Sequence, residues 1–198
     1  MLKLKPITLS QTQLSIIRGF GILEVDHWNR NKTRLKDAIR EKLKEEQNGE
    51  CVYCGCRVYG TGEVEHIAHK AGYPQFLFTP QNLAYACHMC NAQIKGDKNT
   101  VALLKPDYEQ CEFLIVHPYL DNVNRFFDQT RPIITIKEGL NSADRKKAEV
   151  TIELLQYKST SVTERRAEYF TAMASAKKNN TSIPEIAIEN TITYAPYH

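Results

Sequence analysis

Two cysteine pairs and the polar residues between them carry most of the chemistry that this 198-residue chain can do. Cys51-Val52-Tyr53-Cys54 and Cys87-His88-Met89-Cys90 are C-x2-C pairs with 32 residues between them. A C-x2-C turn presents two thiolates to one ion, and two such turns complete the closed tetrahedral geometry of structural zinc. Gly55, directly after the first pair, suits the turn. The interval exceeds the roughly 15–20 residues common in small zinc modules, so something is inserted between the knuckles. A redox C-x2-C is the competing reading, but it gives no reason for a second matching pair. Four cysteine ligands leave no open coordination position, so this zinc is expected to be structural, not catalytic. Cys56 and Cys111 are expected bystanders. Cys56 sits two residues after Cys54, the wrong spacing for the knuckle.

The inserted segment holds the remaining candidates. Gly62-Glu63-Val64-Glu65-His66-Ile67 reads as a short strand. Glu65 and His66 are adjacent, so on a regular strand they point to opposite faces, and only a kink or a strand end brings both to one site. Asn82 precedes an apolar strand, Leu83-Ala84-Tyr85-Ala86, that runs into the second knuckle. Asn91 follows the last cysteine at the start of a short helix from Ala92 to Lys95, which Gly96 ends. Histidine suits general-base work because its unperturbed pKa of about 6.5 leaves it largely neutral near pH 7. Each residue also has an ordinary role open to it. His66 could be a structural histidine, Glu65 a surface carboxylate, Asn82 a turn residue after Pro80 and Asn91 a helix cap. Lys70, Lys95 and Lys98 are candidate phosphate contacts or simply solvated lysines. His88 could ligate zinc, although the cysteines already fill the count. His69 is a second imidazole near the first.

Elements must position these groups. The spacing predicts a short helix from Ser10, ended by Gly19 and Gly21. A longer helix over residues 29–47 carries Leu35, Ala38, Ile39 and Leu43 on one stripe and stops at Asn48-Gly49. Strands are expected over 111–120, stopped by Pro118, and over 132–137. Helices are expected over 142–156 and 162–178, the last with a Ser161/Glu164 capping box. Residues 179–198 look loosely ordered, with a short element over 186–192. The chain divides into an N-terminal helical segment (1–50), a core with the zinc knuckles (51–100) and a mixed C-terminal extension (101–198).

Composition bounds the rest. Hydrophobic residues are 42% and charged residues 25%, ordinary globular values that exclude wholesale disorder, collagen-like repeats and coiled-coil fibres. The net charge is only +3, with the positive excess in the first half of the chain. Affinity for a polyanion grows with the phosphates neutralised, so a strong solitary nucleic-acid binder is not expected and help from a partner is. No apolar run approaches the roughly 18–20 residues that span a bilayer. The start, Met1-Leu2-Lys3-Leu4-Lys5-Pro6, has no long apolar stretch of a secretory signal, so a cytoplasmic location is expected. No phosphate-binding G-x4-GK[ST] loop occurs.

Taken together, Cys51-x2-Cys54, Glu65-His66-Ile67, Asn82-Leu83 and Cys87-x2-Cys90-Asn91 with Lys95-Gly96 resemble a zinc-containing HNH endonuclease. The likeness covers residues 51–98. It implies an α+β fold with a ββα-metal (His-Me finger) core and a four-cysteine zinc site, flanked by N- and C-terminal helices. It also implies phosphodiester hydrolysis, with His66 as general base. Glu65 and the side-chain carbonyl of Asn91 would hold a divalent Mg2+ or Mn2+ ion, and Asn82 would hold the His66 loop by hydrogen bonds to its backbone. A second resemblance reaches further. His117-Pro118-Tyr119-Leu120-Asp121, Thr151-Ile152-Glu153-Leu154-Leu155 and Arg165-Arg166 are similar to HNH components of Septu-type and retron-associated antiphage systems. That group carries an EHI-x-PK segment. Here it is Glu65-His66-Ile67-Ala68-His69-Lys70, with His69 where proline is usual. This resemblance implies a nucleic acid substrate, DNA before RNA, and an ATPase partner that could dock on the C-terminal helices. His117 and Asp121 are expected to be structural. The rival reading is a non-catalytic zinc module that binds nucleic acid or protein.

Overall fold

Residues 1–30 and 34–181 are described by the computed structural model, and the element expected over 186–192 lies outside them. Helix α1 (Gln11–Gly19) begins at Ser10, whose hydroxyl accepts the Gln13 amide while the Gln13 side chain accepts the Ser10 amide, a reciprocal capping box. A single turn, α2 (His27–Arg30), precedes α3 (Leu35–Glu46). Helix α3 buries Leu35, Ile39 and Leu43, the stripe expected from their spacing. Asn48 and Gly49 both have positive φ and close it.

The centre of the molecule is an antiparallel hairpin of β1 (Glu63–His66) and β2 (Leu83–Ala86). Its register pairs Glu63 with Ala86, Val64 with Tyr85, Glu65 with Ala84 and His66 with Leu83. Opposed residues share a face, so Val64, His66, Leu83 and Tyr85 lie on one side and Glu63, Glu65, Ala84 and Ala86 on the other. The first face packs with α3, Trp28 and Phe78. The second packs with the cysteines and the C-terminal half. Gly62 enters β1 against the Tyr85 ring. A Cβ there would lie 2.2 Å from that ring, so any larger residue would force the buried ring to move.

After β2 comes a seven-residue helix, Met89–Lys95, with π-type hydrogen bonding. It begins inside the second knuckle, earlier than the expected start at Ala92, so Cys90 and Asn91 lie within it. Gly96, at φ 50° and ψ −136°, ends it in a conformation that favours glycine. Two further small sheets follow, β3 (Val101–Leu103) with β4 (Glu112–Phe113) and β5 (Phe127–Asp128) with β6 (Thr135–Ile136). Helices α4 (Val123–Phe126), α5 (Ser142–Leu154) and α6 (Thr160–Asn179) complete the order. The fold is therefore α+β, mixed helix with small sheets.

Other expected boundaries moved too. The helix expected over 29–47 begins only at Leu35, after the separate turn α2. The strand expected over 111–120 is two residues long because its backbone finds other partners. The Leu114 amide donates to the Thr100 carbonyl, Val116 to the Thr151 hydroxyl and His117 to the Asp121 carboxylate. The 132–137 strand is also two residues long. Pro132 has no N–H to give a ladder, and its carbonyl accepts from Arg166 at 2.6 Å. Helix α6 is capped by Ser159, which accepts the Val162 amide, and so starts before the expected Ser161.

One buried cluster joins Leu4, the knuckle cysteines, Ala84, Ala86, Ile115, Val123, Ile152 and Tyr169. It draws on all three segments into which the sequence was divided. Among the described residues no helix is long and apolar enough to cross a membrane.

Candidate active site and metal centre

The first knuckle closes as a tight turn, with the Gly55 amide on the Cys51 carbonyl and the Cys51 amide on the Cys56 carbonyl, each at 2.9 Å. Gly55 has φ +69°. The second knuckle opens the Met89–Lys95 helix. The four sulfurs of Cys51, Cys54, Cys87 and Cys90 are buried and lie within 4.8 Å of one another. A tetrahedral Zn–S distance of about 2.3 Å places sulfurs roughly 3.8 Å apart, so the cluster is compatible with zinc. Four thiolates around a dication leave two negative charges, which need compensation when buried. Buried Arg166 lies beside them and donates to the Cys54 carbonyl, and also to those of Pro132, Gln129 and Arg131. Cys56 stays outside the cluster with its thiol toward the carbonyls of Cys54 and Arg165. Cys111 packs in a separate cluster.

Beside this knot opens a cavity of about 250 Å³ whose walls include Glu65, His66, His69, Lys70, Asn91 and Lys95. Glu65 and His66 leave β1 on opposite faces, and His66 is its last residue, so the strand end lets both border one space. The His66 ring meets Trp28 edge-on at 4.5 Å. Its Nε2 lies 3.1 Å from the Leu77 carbonyl. A carbonyl only accepts, so Nε2 carries the proton and Nδ1 keeps a lone pair. Burial lowers the His66 pKa to about 3. The Leu77 bond opposes that shift, and the charges of Lys70, Lys95 and Lys36 add to it. The ring is therefore neutral at pH 7.

Glu65 is 2% exposed. Its Oε1 accepts from the Tyr53 hydroxyl and from the Lys95 ammonium, both at 2.9 Å. Burial raises the Glu65 pKa, against the opposing pull of Lys95 and Tyr53. Lys95 is 1% exposed and also donates to the His66 carbonyl at 2.6 Å. It therefore sits in the cavity wall, not on the open surface. Its burial is tolerable because Glu65 neutralises it. Asn91 donates through Nδ2 to Glu63 at 2.6 Å, and the other Glu63 oxygen meets the His88 ring at 2.7 Å. His88 is thus turned away from the sulfurs. Asn91 keeps its Oδ1 free of that bond.

Asn82 is fully buried behind the cavity. Its Oδ1 accepts the Ala68 amide at 2.7 Å, and its Nδ2 donates to the carbonyls of Phe76 at 3.0 Å and Ala68 at 3.2 Å. It thereby clasps both limbs of the 67–82 loop between the strands. His69 accepts the Gly72 amide in its own turn and stacks edge-on against Tyr73. Lys70 borders the cavity, whereas Lys98 is exposed and donates to the Leu154 carbonyl at 3.3 Å.

The structure thus gathers Glu65, His66, His69, Lys70, Asn91 and Lys95, places Asn82 behind them and leaves Lys98 outside. Sequence reasoning missed Glu63, Tyr53 and Trp28 as neighbours of these groups. Glu63 had a usable signal, since it sits two residues before Glu65 and shares its strand face. Trp28 had none, because its approach depends on how α2 packs.

No family model matches the chain. Over 68 residues it is 37% identical to Septu protein PtuB from Bacillus thuringiensis, a stretch covering 33% of this chain and 26% of that protein. The match thus spans about a quarter of the curated relative's length.

Proposed function

We propose that the chain is a metal-dependent HNH endonuclease, the nuclease effector of a bacterial antiphage system that works with an ATPase partner. One observation carries this reading: a neutral, tautomer-fixed histidine, a carboxylate and an asparagine border one cavity beside a four-cysteine knot. The strand–strand–helix order of β1, β2 and Met89–Lys95 supports a ββα-metal core. The likeness to a Septu protein supports the defence role and a partner within the same defence system.

In this reading the His66 Nδ1 lone pair takes a proton from the water that attacks phosphorus, and the bond from phosphorus to the leaving oxygen breaks. The Leu77 carbonyl holds the ring in the required tautomer. Asn82 keeps that loop from sliding. Lys70 supplies positive charge at the cavity wall. Glu65 and Asn91 Oδ1 offer hard oxygen donors for Mg2+ or Mn2+, which would neutralise charge on the phosphate and leaving oxygen. That ion would share Glu65 with Lys95. The cysteine knot, with zinc, fixes the helix that carries Asn91.

The Lys95–Glu65 pair also favours a second reading, a zinc module that binds without cleaving, because the carboxylate already has a cation. A panel of DNA and RNA substrates with Mg2+ or Mn2+, run with and without the ATPase, decides between them. Cleavage that is lost in Glu65→Gln and Asn91→Ala supports the nuclease. Binding that survives both changes, with no cleavage by the unaltered protein under either ion, supports the binding module.

A further inference from the structure

The motif His117-Pro118-Tyr119-Leu120-Asp121 lies far along the chain from the cavity, yet a series of hydrogen bonds runs from it to Asn82 in the 67–82 loop, whose His69 and Lys70 border the cavity. His117 is completely buried. Its Nδ1 lies 3.2 Å from the Tyr119 amide nitrogen and 3.3 Å from that of Leu120. Amide N–H groups only donate, so Nδ1 accepts and the neutral ring carries its proton on Nε2. Nε2 is 2.9 Å from the Tyr108 hydroxyl and donates to it. The Tyr108 hydroxyl, 3.0 Å from Asn82 Oδ1, then gives its own proton to Asn82. The direction of every bond in the series follows from the two amides at Nδ1.

That direction matters at Asn82. With Oδ1 fixed by Tyr108 and by the Ala68 amide, Nδ2 must face the carbonyls of Ala68 and Phe76. A flipped amide would set oxygen against oxygen. Phe76 immediately precedes Leu77, whose carbonyl holds the His66 ring. At the far end, the His117 amide donates to Asp121, which Lys147 of α5 pairs at 2.6 Å. Burial first, then the charges of Lys147 and Lys3, lowers the His117 pKa, consistent with a neutral ring.

We infer that His117 and Tyr108 are positioning residues that reinforce the amide orientation of Asn82 and, through the 67–82 loop, the aim of His66. The kinetic part of this inference rests on the nuclease reading, but the bonding part does not.

Tyr108→Phe tests it, because the ring keeps its packing on Phe76 and Phe113 while the hydroxyl is lost. In the zinc-loaded full chain the change is expected to lower kcat about tenfold with KM unchanged, the scale of one lost buried hydrogen bond. In an Asn82→Ala background the same change should cost nothing further, because the effect passes through Asn82. Equal losses in both backgrounds, or no loss in either, would overturn the relay. Nitrogen-15 NMR of the same proteins reads the bonding without any activity. The relay requires His117 protonated on Nε2, and Asn82 side-chain amide protons that exchange faster in Tyr108→Phe. A His117 proton on Nδ1, or unchanged Asn82 exchange, contradicts it. If even the unaltered protein cleaves nothing, the nuclease reading fails and the NMR result alone decides the relay.

Discussion

The two ends of the β1–β2 hairpin are held by different kinds of force. At the end where β2 runs into Cys87, four buried sulfurs converge to within 4.8 Å and fit one metal ion. At the other end, the 67–82 loop is held by neutral hydrogen bonds from Asn82, with Tyr108 and His117 behind it. A structural zinc binds with about 10–16 kcal/mol in small peptides, while a buried neutral hydrogen bond contributes about 1 kcal/mol. With zinc bound, the cysteine end would decide whether this region folds. Under the proposed function, the loop end would decide how accurately His66 is aimed.

Disturbing each end in turn separates the two roles. The largest effect belongs to the cysteines. Zinc binding of the size given above rivals the whole stability of a typical domain, about 5–15 kcal/mol. Cys87→Ser, or stripping with a chelator, is expected to abolish metal content and cooperative thermal unfolding together. A chelated protein that melts as the untreated one does would remove zinc from the account. Next comes the buried ion pair between the ends. Lys95→Met leaves buried Glu65 without its cation, and denaturant unfolding should show a loss of up to about 3–5 kcal/mol, relieved in part by adding Glu65→Gln.

A smaller, pH-dependent effect belongs to the loop end. The folded-state pKa of His117 is lowered, so below about pH 6.5 the unfolded chain binds the extra proton. This contribution is complete above that pH and is lost as pH falls, by up to about 1.4 kcal/mol per unit. Between pH 7 and 5 the unaltered protein should therefore lose more stability than His117→Gln. Equal losses would mean the ring is not held neutral. The smallest effect is expected for exposed Lys98, whose change to Ala should alter stability by less than about 0.5 kcal/mol.

The same division explains what the sequence revealed. The knuckle spacing, the β1 and β2 runs and the α3 stripe are local patterns, and the structure has each of them. Glu65, His66 and Asn91 were legible as a group only through the HNH resemblance, whose motif is continuous with the cysteine pairs. The loop clasp was legible only at Asn82. Its continuation through Tyr108 and His117 depends on side chains 26 and 9 residues apart that meet only in the folded state. The burial of Lys95 was hidden for a related reason. A lysine four residues after Asn91 reads as a surface charge until Glu65 and the His66 carbonyl are seen to enclose it. The 111–120 run misled because, beyond β4, Ile115, Val116 and Tyr119 are buried as irregular chain, with side chains of Thr151 and Asp121 taking the place of a neighbouring strand.

The most direct test compares His66→Ala with the unaltered protein at matched zinc content and matched thermal unfolding, with Mg2+ or Mn2+ and the ATPase present. Cleavage is expected to fall by about 10²–10⁴-fold while both controls hold. Undiminished cleavage by the folded, zinc-loaded variant would show that the proton is taken elsewhere and that the cavity beside the sulfur knot is not the active site.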